Sequence, residues 1–253
     1  MAGRLTIDTL QEFIGENVFD PYGRVVGRLV SPDSDVDGTI LSVAIEDEQK
    51  KIKFVDGRAL HVEEGRLVAW PEWKVTAAEV IANYQRALKR IRGLDEMYSR
   101  NEVPGAIYHE MRKRLSVKIE ELKGKARKLK NMITDRMREI EDENLGLDRA
   151  IANLKMSYLA GELSEKAYKA AIEMLRSAKD SNARELEDLK ATKTKIEALE
   201  SGAIALAKPK HEEKSHHYEE KKTSQPAAAP QKPAAPVAAP EAIQPIPVKL
   251  IEG

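Results

Sequence analysis

Cysteine is absent from all 253 residues, which excludes disulfide frameworks, thiolate metal sites and cysteine nucleophiles together. Such a chain suits a reducing interior or a harsh habitat without choosing between them. Aromatic residues are scarce at 5%, and an apolar content of 42% does not suggest one large core. No apolar run approaches the ~20 residues of a membrane span, and no signal-peptide pattern opens the sequence. The expectation is a soluble, intracellular protein. Also missing are a glycine-rich phosphate loop, a nucleophile elbow and a zinc-binding helix motif. Of the five histidines, His61 and His109 have no matched acidic or thiol partner, while His211, His216 and His217 fall in a tether-like composition and read as solvated tail histidines rather than a weak metal contact. The cluster Asp33, Asp35, Asp37, Gly38 lacks the downstream glutamate of a calcium loop and reads as an acidic turn. No catalytic residue, metal site or cofactor is expected, and the chain does not read as an enzyme.

Charge, by contrast, is abundant. Charged residues make up 33%, with 42 basic side chains balancing 42 acidic ones, a composition suited to long solvated helices. The balance is uneven along the chain. Residues 1–75 carry nine basic against fourteen acidic side chains, while 112–138 carry eleven basic against three acidic. That second window is the strongest composition signal for a polyanionic partner.

Three periodicities divide the sequence. Up to about Val75, short β-prone runs alternate with turn chemistry: Arg24–Val30, Thr39–Ile45, Lys51–Val55, Leu60–Val62 and Leu67–Trp70. The pair Asp56-Gly57 reads as a tight hairpin, and the strand spacing suggests a small closed or half-closed barrel. From Thr76 to Leu206 the apolar residues step by three and four, as in Val80, Tyr84, Ala87, Ile91, Leu94 and then Leu115, Ile119, Leu122, Ala126, Leu129. This is a coiled-coil seam. A helix over Ala106–Ala160 would be ~80 Å long and could not bury its seam alone. Breaks fall near 101–105 and 161–164, and Tyr98, Tyr108 and Leu115 recur as Tyr158, Tyr168 and Leu175. The constant offset of 60 reads either as an internal repeat or as convergence of helix-breaking sequence. Pro104 suits a first helical position and Ser164 an N-cap. Beyond Lys208 the chain is Lys, Glu, Ala and Pro, the composition of a disordered tether over 208–241. It ends in an apolar, β-prone segment.

Two stretches are candidates for binding. Arg112, Lys113, Arg114, Lys118, Lys123, Lys125, Arg127, Lys128 and Lys130 admit three readings: a solvated helix face, a surface tracking DNA phosphates, or a strip facing anionic lipid. In the terminal segment, Ile246, Val248 and Leu250 would share one side of an extended strand, with Pro247, Lys249 and Ile251 on the other. Such a peptide suits edge-strand addition to a partner's sheet; the alternative is folding back on its own barrel.

The run Val18, Asp20, Gly23, Gly27, Leu29, Val30, with the ending Gly65, Leu67, Val68, resembles a PRC-barrel, a non-catalytic interaction module. Barrel, long coiled coil, Pro/Ala tether and the ending Ile246-Pro-Val-Lys-Leu-Ile251 together resemble the CdvA family of archaeal cell-division proteins. The fold class implied is multi-segment α and β: a PRC-like β-barrel over 1–75, a coiled coil over 76–207, a linker over 208–241 and an ESCRT-III-binding peptide over 242–253. The resemblance implies a filament-forming division scaffold in the cytoplasm, peripheral to the inner face of the membrane at mid-cell or between nucleoids. It implies self-association, contact with anionic membrane or non-specific DNA, and binding of the winged-helix domain of an ESCRT-III-like protein, CdvB, by β-strand addition. The competing class is an architectural, nucleoid-binding coiled-coil protein.

Overall fold

The computed structural model describes residues 5–207; the expected linker and the terminal peptide with Ile246–Ile251 lie outside the described residues. After a short helix α1 (Ile7–Leu10), six strands follow: β1 (Asn17–Phe19), β2 (Val25–Ser34), β3 (Ile40–Glu46), β4 (Ile52–Asp56), β5 (Leu60–Glu63) and β6 (Arg66–Ala69). They form one sheet in the order β4-β3-β2-β1-β6-β5. All neighbours are antiparallel except β1 and β6, which pair in parallel. Alternation along β3 sends Val43 and Ile45 into a core with Leu10, Val18, Leu29, Ile40, Leu60 and Leu67, while Ala44 and Glu46 take the other face.

The Asp56-Gly57 pair does not close a hairpin. The Asp56 carboxylate accepts from the Arg58 amide at 2.8 Å and starts a 3-10 turn at Gly57–Ala59. β4 and β5 are the two ends of the strand order, not neighbours. Four Cα steps from Asp56 to Leu60 span at most about 14 Å. Six flat strands would hold their outer members about 24 Å apart. The sheet therefore curls until its ends approach each other. At Gly27 a β-carbon would overlap the Glu46 carbonyl oxygen, so the β2 backbone passes β3 more closely than a side chain permits.

Three helices follow: α2 (Glu72–Ser99), α3 (Gly105–Leu159) and α4 (Glu165–Ala207). α2 begins four residues before the apolar periodicity suggested, because Pro71 takes the N-cap position and Trp73 is already buried on its first turn. Pro104 also takes an N-cap position rather than the first helical one. Ser164 caps α4, its hydroxyl accepting from the Ala167 amide at 3.3 Å.

The helices fold back on one another within the chain. Val80, Tyr84, Leu88 and Ile91 of α2 share one core with Leu122, Ala126, Leu129 and Ile133 of α3 and with Leu189, Ile196 and Ala203 of α4. The seam is thus buried largely by the chain's own neighbouring helices.

The two inter-helix turns are copies of each other. Arg100 N–H donates to Glu96, Asn101 to Tyr98, Glu102 to Met97 and Tyr108 to Pro104. Sixty residues on, Ala160 donates to Met156, Gly161 to Tyr158, Glu162 to Ser157 and Tyr168 to Ser164. Asn101 and Gly161 both adopt left-handed backbone, with φ of 59° and 76°, closing each helix in the same way. Tyr98 stacks on Tyr108 at 4.1 Å and Tyr158 on Tyr168 at 4.4 Å. The 60-residue spacing is a structural repeat of helical hairpins.

Candidate interaction surfaces

The most polar buried place in the described chain is where the sheet meets the helices. Ser181, Asn182 and Glu185 sit on one face of α4 because they recur at intervals of one and three residues, and all three are buried. The loop after β1 meets them. The Ser181 hydroxyl donates to the Tyr22 carbonyl at 3.0 Å, and Arg24 donates to Asn182 at 3.0 Å and to Glu185. Arg136 of α3 donates to both Glu185 oxygens, at 2.9 and 3.0 Å. Alongside, Tyr22 and Lys74 both donate to Asp188, at 2.9 and 2.6 Å. Burial pushes the Glu185 carboxyl up, but the Arg136 and Arg24 guanidiniums outweigh it and hold the group below the usual carboxylate range. Burial and the bond to Asp188 push the Tyr22 phenol well up. This junction fixes the sheet to two helices through charge-assisted bonds. Sequence reasoning missed it, although polar Asn182 and Glu185 at seam spacing were a readable sign.

Six of the nine basic residues singled out on α3 have carboxylate partners within the chain. Arg112 pairs with Asp95 at 2.8 Å, Lys125 with Glu79 at 3.8 Å and Lys130 with Glu200 at 2.7 Å, all across to neighbouring helices. Arg114, Lys118 and Lys123 pair along α3 with Glu110, Glu121 and Glu120. The excess seen in the 112–138 window is largely met by carboxylates from outside that window. Lys113, Arg127 and Lys128 are exposed and have no ion pair among the described residues. Lys113 and Arg127 are two heptads apart and share the outer side of the helix.

His61 lies against Trp70, with ring centroids 3.9 Å apart, and burial lowers its pKa. His109 neighbours the Tyr98–Tyr108 stack. Among the described residues no three His, Asp or Glu side chains converge as a metal site. No described helix is long and apolar enough to cross a membrane. The peptide Ile246–Ile251 and His211, His216 and His217 lie outside the described residues.

A curled sheet pinned by a polar junction to folded-back helices defines a protein of one small β-sheet and a long coiled-coil-like helical region. A family model described as a CdvA-like coiled-coil domain matches residues 72–219. Cell division protein A of Sulfolobus acidocaldarius is 34% identical over 202 residues, covering 80% of this chain and 84% of the relative. The chain belongs to the CdvA family. No solved structure matches it.

Proposed function

We propose that the chain is a non-enzymatic cell-division scaffold. The observation that carries this reading is the 34% identity to a protein named for cell division, extending over most of both chains. The helical region 72–207 self-associates into filaments. Exposed Lys113, Arg127 and Lys128 supply an electrostatic hold on a polyanion, anionic membrane or non-specific DNA, at the cytoplasmic face of the division site. The curled sheet serves as a PRC-like interaction module. Residues 208–241 act as a linker, and Ile246, Pro247, Val248, Lys249, Leu250 and Ile251 recruit an ESCRT-III-like CdvB by adding a strand to its winged-helix domain. Repetition of that peptide along a polymer lets each individual contact be weak.

The test is co-sedimentation of assembled chain with the ESCRT-III-like partner, with and without residues 242–253. Partner in the pellet only with the full chain supports the reading. Equal recovery with the truncated chain refutes recruitment by the peptide and favours an architectural role on DNA.

A further inference from the structure

The two helical hairpins match in sequence spacing and turn geometry, yet one is covered and the other is open. Ala87, Ile91 and Leu94 of α2 correspond, sixty residues later, to Leu147, Ile151 and Leu154 of α3. The first three are buried. α4 returns alongside α2 and brings Gly202 close to Leu88. Leu147, Ile151 and Leu154 are only half-buried, although they occupy the same positions of the same kind of hairpin. What the second hairpin lacks is a third helix. Beyond Ile140 the arm formed by α3 and α4 buries one apolar side chain, Ile172, before the junction at Ser181. The arm's α3 half alone is about 30 Å long at 1.5 Å per residue, and a half-open apolar seam of that length is what a partner helix covers.

We infer that the open seam of the α3–α4 arm is covered by the same arm of a second copy of this chain, the two lying antiparallel as a four-helix bundle. This rests on the self-association reading above and names its interface. Charge selects both the occupant and the direction. The distal part of the arm, 148–179, carries six basic and four acidic side chains; the proximal part, 136–147 with 180–189, carries three basic and eight acidic. Arg24 before β2 and Lys74 of α2 offset two of those acids, and the balance there stays negative. Antiparallel arms set each basic end on the other copy's acidic end, twice, about a twofold axis. Parallel arms would set like charge on like.

The absence of cysteine makes the test clean. Ala150 lies three residues after Leu147 and four before Leu154, so it shares their face near the middle of the arm. Ala150→Cys in the full chain, treated with a short bismaleimide, should cross-link to its own copy and give a product of twice 28.3 kDa. Ala152→Cys, on a different side of α3, should not. Exposed Lys155 and Arg176 lie in the basic part of the arm. The pair Lys155→Glu and Arg176→Glu should weaken self-association at least tenfold with unchanged helical circular dichroism. If the chain self-associates but Ala150→Cys does not cross-link, or Ala152→Cys does instead, the arm interface is overturned and the self-association reading survives. A chain that stays monomeric at every concentration overturns both.

Discussion

Glu185 is the group on which the junction between sheet and helices turns, and Glu185→Gln is the sharpest way to probe it. The carboxylate is 1% exposed and accepts from Arg24 and twice from Arg136. Glutamine keeps the shape but offers one acceptor oxygen and turns an amide donor toward two cations. Losing charge-assisted bonds costs about 1.5–3 kcal/mol each, and breaking a buried pair about 3–5 kcal/mol. Arg136 retains Glu139 and Glu143, and Arg24 retains Asp20. Both guanidiniums reach solvent, so the loss lands near 2–3 kcal/mol. At roughly 2–4 °C per kcal/mol for a chain of this size, the thermal midpoint should fall by about 5–10 °C. Circular dichroism of the full chain at neutral pH reads this directly.

The pH dependence has a definite sign. The folded pKa of Glu185 lies below its ordinary value of 4.5. Its contribution is therefore whole above that value and is lost as pH falls through the depressed folded one. The variant and the parent should converge only in acid. Adding Arg24→Met to Glu185→Gln should cost less than the sum of the two, with a coupling of about 1–2 kcal/mol. A neutral-pH midpoint within 1 °C of the parent, or strict additivity, refutes the junction's role.

Three further outcomes follow from the same geometry. Gly27→Ala drives a β-carbon into the Glu46 carbonyl and should cost at least about 2 kcal/mol, read as a lower denaturation midpoint. Gly161→Ala should destabilise by about 1 kcal/mol at its left-handed position, whereas Asn101→Gly at the twin turn should be neutral or slightly stabilising. Equal effects at both turns would contradict their equivalence. Charge reversal of Lys113, Arg127 and Lys128 together should weaken sedimentation with anionic vesicles or duplex DNA more than reversal of Lys123 and Lys125, already paired with Glu120 and Glu79. The reverse ranking would remove the three exposed cations from the mechanism.

Legibility in the sequence tracked the distance between partners. Val43 and Ile45 alternate with Ala44 and Glu46, so the strand and its inner face are plain from four residues. Tyr98, Tyr108, Tyr158 and Tyr168 announce the twin turns because each pair closes within ten residues. Strand spacing announces a closed or half-closed sheet, but the fate of Asp56-Gly57 is not legible, since it depends on how closely the chain packs against Ile40, whose carbonyl a β-carbon at Gly57 would overlap. Of the junction only the polar Asn182 and Glu185 at seam spacing are legible, and the meeting of Tyr22 with Asp188 across 166 positions is not. The pairing of the basic window is hidden for the same reason: Arg112 and Lys130 find their carboxylates on α2 and α4, outside any local count of charge. The terminal peptide remains a reading of composition and resemblance.

Self-association is the claim on which the scaffold reading rests, and sedimentation velocity of the full chain over a range of concentrations tests it most directly. The account predicts species at twice 28.3 kDa and above, growing with concentration and shrinking with added salt as the opposed charges of the paired arms are screened. A single 28.3 kDa species throughout would contradict it.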